Sequence, residues 1–142
     1  MLPGWVHSLD DYWRWIERLV DESGAYLNQI YLSVQLIEAG QGGPLLALNV
    51  EQHRLVYFND SYLEFDLSVG ADLEPIDYSF HYARADDSII WRLDKHHGHE
   101  TEDGADTHIH LPPNERREPH GTVDLGDVLD RIHKDQQDQW AR

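Results

Sequence analysis

The chain has no cysteine, which excludes disulfides and thiolate metal sites. It has little positive charge: eleven lysines and arginines stand against 27 carboxylates, and the lysines are only Lys95 and Lys134. No apolar run is long enough to cross a bilayer. The opening residues, Met1-Leu2-Pro3-Gly4, lack the basic start and apolar stretch of a signal peptide, so a cytoplasmic location is expected. What remains is 142 residues, 40% hydrophobic, with five tryptophans. That is enough for one domain, 1–142, with a real core, and too apolar for a disordered chain.

The net charge is −16 and is spread along the sequence, with Asp outnumbering Glu. An Asp-rich, Lys-poor surface suits a protein that stays soluble in concentrated salt, so a halophilic source is the expectation; a basic partner is the alternative. In molar salt the Debye length is only ~3 Å, so this charge excludes a nucleic-acid substrate only where the site itself is not locally positive. Arg84, Arg92 and Lys95 are available to make it so.

Apolar periodicity predicts an α+β fold: an antiparallel meander of about five or six strands over about 28–111, flanked on one face by an N-terminal helix (about 8–23) and a C-terminal helix (about 123–139). Leu9, Tyr12, Trp13, Ile16, Leu19 and Val20 form a helical stripe, with Ser8 and Asp11 as a capping pair and Gly24 as the stop. Asn28 to Ile37 alternates as a strand. Leu45 to Val50 and His53 to Phe58 read as two further strands, and Asn59-Asp60 marks a tight turn before Tyr62, Leu63, Phe65 and Leu67. Ile76 to Tyr82, Ile89 to Leu93 and Thr107 to Leu111 complete the sheet. Leu125, Val128, Leu129 and Ile132 mark the closing helix, capped by Thr122 or Asp124.

Ten histidines are present, and six of them (His96, His97, His99, His108, His110 and His120) crowd one C-terminal stretch. Imidazole titrates near neutral pH and is the commonest metal ligand. A two-residue loop at Asp86-Asp87 predicts a hairpin in which His81 stands opposite Arg92 and Ser79 opposite Asp94, with opposed Cβ atoms ~5 Å apart. Tyr78, Phe80, Tyr82, Ile89, Trp91 and Leu93 then face the core. His108 and His110, two apart on a strand, point the same way.

Two chemistries suit this set. In one, Arg92 and Lys95 hold a phosphate while two imidazoles move protons, as metal-independent RNA cleavage requires. In the other, His97, His99, His108 and His110 bind zinc or a similar metal, without turnover or to activate water. Arg92 with Asp94 as a plain surface ion pair is the structural alternative.

Several segments resemble a known family. Tyr57-Phe58-Asn59-Asp60-Ser61-Tyr62-Leu63 is similar to an F-x-D-G-S-x-L hairpin, with the turn glycine expected between Asp60 and Ser61 missing. Tyr78-Ser79-Phe80-His81-Tyr82 is similar to a Y-x-Y-H-Y strand, and Arg92-x-Asp94 before His96-His97 to an R-x-D-N-x-x-H-H segment. His108-Ile109-His110 falls where a second histidine element precedes a closing helix. Together, from Val56 to Ile132, these resemble the TumE-type toxins of toxin–antitoxin systems. The resemblance implies an endoribonuclease held inactive by a cognate protein antitoxin; on the acid–base chemistry above no cofactor is expected, with zinc as the alternative. It carries over Arg92, Asp94, His96, His97, His108 and His110 as site residues, and His81 as well. RNA is the implied substrate, no membrane is involved, and a homodimer is left open.

Overall fold

The computed structural model describes residues 2–38, 44–95, 105, 107–113 and 116–140, and the side chains among them except those of 26–38, 44–53 and 139–140. The elements run α1 (Leu9–Glu22), β1 (Tyr26–Glu38), β2 (Pro44–Val56), β3 (Tyr62–Gly70), β4 (Pro75–Ala83), β5 (Ile89–Lys95), β6 (Thr107–Leu111), β7 (Arg116–Pro119) and α2 (Leu125–Trp140). The strands form one antiparallel sheet in sequence order, β1 to β7. This is the expected α+β meander between two helices.

Three details differ from the sequence reading. The two strands expected over 45–58 are one strand, β2. Its polar interruption, Gln52-His53, is a bulge set against the single residue Phe65. A seventh strand, β7, pairs with β6 through Arg116–Pro119. Its sequence Arg-Arg-Glu-Pro has no apolar alternation, so no periodicity announces it. The loop of the β4–β5 hairpin is the third difference: it has three residues, not two.

That hairpin nevertheless keeps the expected register. Asp87 N–H bonds Arg84 C=O and Arg84 N–H bonds Ser88 C=O, both at 2.9 Å. Asp87 takes a left-handed φ of 68°. The extra residue alone would swap every side chain to the wrong face. A bulge absorbs it: Ala83 pairs with Ile89 but Tyr82 with Trp91, so Ile90 is the inserted residue. The β3–β4 hairpin uses the same device, with Leu73 left-handed (φ 68°) and Ile76 inserted between the Val69–Pro75 and Ser68–Asp77 pairs. In the β2–β3 turn Asp60 holds the left-handed position (φ 64°). The glycine of the resembling motif is therefore replaced by Asp60 rather than missing. Asn59, Asp72 and Asp86 each accept the backbone N–H two residues on, which fixes all three turns.

One face of the sheet is apolar and covered. Leu63, Phe65, Leu67, Val69, Tyr78, Phe80, Tyr82, Trp91, Leu93 and Ile109 are buried there with Tyr12, Trp15, Ile16 and Val20 of α1 and Leu125, Val128, Leu129 and Ile132 of α2. Trp15 replaces the expected Trp13 as the buried α1 tryptophan; Trp13 is only partly buried. Gly126 lets the helices meet, since a Cβ there would sit 3.1 Å from the Trp15 ring. Capping follows the sequence at both helices. Ser8 accepts the Asp11 N–H at 3.1 Å, and Asp124 and Asp127 exchange backbone-to-carboxylate bonds of 3.0 and 2.8 Å. Tyr78 ties the layers together: its hydroxyl pairs with Thr107 Oγ1 at 2.8 Å and accepts the Val123 N–H at 3.1 Å.

Candidate active site

Strand alternation decides what reaches the opposite face, which among the described residues is helix-free. Two cross-strand rows run over it. The first is Arg54, Glu64, His81, Arg92, His110, Arg117, one residue from each of β2 to β7. The second, beside it, is Asp66, Ser79, Asp94, His108, Pro119. His81, Arg92, Asp94, His108 and His110 therefore share one surface.

Asp94 is the hub of this surface. Its Oδ2 accepts Arg92 Nε–H at 2.9 Å and lies 3.2 Å from His110 Nε2. A carboxylate accepting from Nε2 orients the ring and leaves Nδ1 as the proton-accepting nitrogen of its neutral form. The other oxygen, Asp94 Oδ1, is buried without a hydrogen-bond partner, which costs about 1–3 kcal/mol. His108 is buried, and Arg117 Nη2 meets its Nδ1 at 3.3 Å.

The far end of the first row is self-contained. Arg54 bonds Glu64 at 2.7 Å and lies 4.1 Å over the Tyr62 ring, whose hydroxyl donates to Asp87 at 2.6 Å. Burial first, and then the bond to Asp87, pushes the Tyr62 phenol up to about 12, with Arg54 opposing. Carboxylates crowd this end (Glu64, Asp66, Asp87), whereas the β5–β7 end carries Arg92 and Arg117.

Other candidates stand elsewhere. Lys95 pairs with Tyr78 and Thr107, three residues beyond Arg92 and so on the opposite side of β5; it does not join Arg92. Arg84 is in the hairpin loop, beside Ser88. His96, His97 and His99 lie outside the described residues. His120 borders a groove of about 570 Å³ along α2, lined also by Leu93, Val123, Asp127 and Asp135, on the helix side of the sheet. His133 is exposed on α2, next to Gln137. Arg117 is the site residue that the sequence reading missed; it stands on the strand that the reading missed.

Among the described residues no group of three or more His, Asp or Glu is arranged to hold a metal ion. The alternative zinc set depends on His97 and His99 as well as His108 and His110. No helix among the described residues is long and apolar enough to cross a membrane.

A sheet sealed by helices on one side and bearing a histidine–arginine–carboxylate cluster on the other defines an α+β protein with one chemical face. Residues 45–139 match the family described as Toxin TumE, which is more than half of the chain. The protein belongs to this toxin family, so it is the toxin component of a toxin–antitoxin pair and a cognate antitoxin is its partner. Comparisons with curated proteins and with solved structures give no significant match.

Proposed function

We propose that this toxin is an endoribonuclease that cleaves RNA by acid–base chemistry on the helix-free face. The observation that carries the reading is the row His81–Arg92–His110, in which one guanidinium has an imidazole on either side. Neighbouring strands lie ~4.8 Å apart, so the two imidazole-bearing positions are separated by about 10 Å. Attack of a ribose 2′-hydroxyl on phosphorus needs a base on one side and an acid on the other, because the entering and leaving oxygens lie in line. Arg92 holds the phosphate and meets the charge that develops on it.

In this reading His110 Nδ1 removes the 2′-hydroxyl proton and the 2′-oxygen bonds to phosphorus. The phosphorus–O5′ bond breaks, and the leaving oxygen takes a proton from the second imidazole, His81 or His97. The products are a 2′,3′-cyclic phosphate and a 5′-hydroxyl. Asp94 keeps His110 in the required tautomer. No cofactor is called for, and the antitoxin covers this face.

The test is to incubate RNA with the purified toxin in excess chelator. Cleavage leaving cyclic phosphate ends, abolished by Arg92→Ala, is expected. Intact RNA from wild type, with host growth equally unaffected by wild type and variant, removes the reading.

A further inference from the structure

His108 and His110 leave β6 on the same face, yet their surroundings differ in kind. His110 meets a carboxylate, whereas His108 meets a guanidinium. An arginine side chain has five N–H donors, no acceptor, and keeps its proton in proteins. The 3.3 Å contact from Arg117 Nη2 to His108 Nδ1 therefore requires a lone pair on that nitrogen. A ring with bare Nδ1 is neutral and carries its proton on Nε2. His108 is also buried, while His110 is only partly so, and His108 stands directly opposite Asp94 on the neighbouring strand.

We propose that Arg117 is a positioning residue that fixes His108 as a neutral, Nε2-protonated imidazole, so that His108 supports the Asp94–His110 couple and does not itself transfer protons. The tautomer stands on the geometry alone; the division of labour between the two imidazoles rests on the ribonuclease reading. Arg117 comes from the four-residue edge strand β7, whose pairing with β6 brings its guanidinium to His108. Glutamine at position 108 would offer Arg117 a carboxamide acceptor and keep an N–H donor, but could not carry a proton.

Two measurements on the full chain test this. In 15N-edited NMR at pH 7, His108 should show a bare Nδ1 and a protonated Nε2. Arg117→Met should release it into a tautomer mixture, and Arg117→Lys should restore the single form. A protonated Nδ1 in wild type, or a signature indifferent to Arg117→Met, overturns the proposal. In RNA cleavage, His108→Gln should stay within about tenfold of wild type while His110→Gln loses about a hundredfold or more, the usual worth of a proton-transfer group. Equal losses overturn it. If wild type does not cleave RNA, the ribonuclease reading falls, and the NMR arm alone decides the tautomer.

Discussion

The two faces of this sheet are made by alternate residues of the same strands and obey different physics. Phe80 and His81 are neighbours in sequence. Phe80 is fully buried against Phe65 and Leu93, where shape and apolar area decide what is tolerated. His81 stands between Glu64 and Arg92, where charge and proton position decide. The covered face holds the fold together, and the other face gathers charged groups, with Asp94 Oδ2 in contact with both Arg92 and His110.

Variants on the two faces should separate these roles. The largest effect is expected from Phe80→Ala, about 3–5 kcal/mol in urea denaturation, because the rigid aromatic layer cannot collapse into the space. Asp94→Asn should lower RNA cleavage about a hundredfold by losing the hold on His110, while stability changes by about 1 kcal/mol. If Asp94→Asn destabilised the protein as much as Phe80→Ala, the contrast between the faces would break down.

A smaller effect comes from Tyr62. Its phenol titrates near 12 in the folded protein and near 10 when unfolded. Above pH 10 the unfolded chain loses this proton first, so stability should fall as pH rises from 10 towards 12. Tyr62→Phe should flatten that part of the stability–pH curve, and a curve unchanged by the substitution would remove the assignment. The smallest effect is Asp60→Gly, which relieves a left-handed aspartate. It should stabilise by a few tenths to about 1 kcal/mol, read as a rise in Tm.

The pairing of His81 with Arg92 and of Ser79 with Asp94 was legible in the sequence because Tyr78, Phe80 and Tyr82 alternate without interruption and must face inward. The capping of α1 was legible because Ser8 and Asp11 have the spacing that a first turn needs. The hairpin loop was misjudged by one residue because apolar alternation does not reveal a bulge at Ile90, itself an apolar residue. The lower half of β2 looked like a separate strand because Gln52-His53 interrupts the pattern at the bulge. Arg117 was out of reach for a different reason. Its strand has no apolar face, and its role comes from lying across the ladder from His110 and beside His108.

Ala71-Asp72-Leu73-Glu74-Pro75-Ile76 and Ala85-Asp86-Asp87-Ser88-Ile89-Ile90 are two copies of one mechanical part, a turn that overshoots by one residue followed by a kink that takes the residue back. Because each overshoot is cancelled before the strand reaches the histidine rows, the hairpin tips are out of phase with the rest of the sheet while the reactive surface is not. Those tips can therefore change in sequence or length while the register of the strands behind them, and the surface built on it, stays as it is.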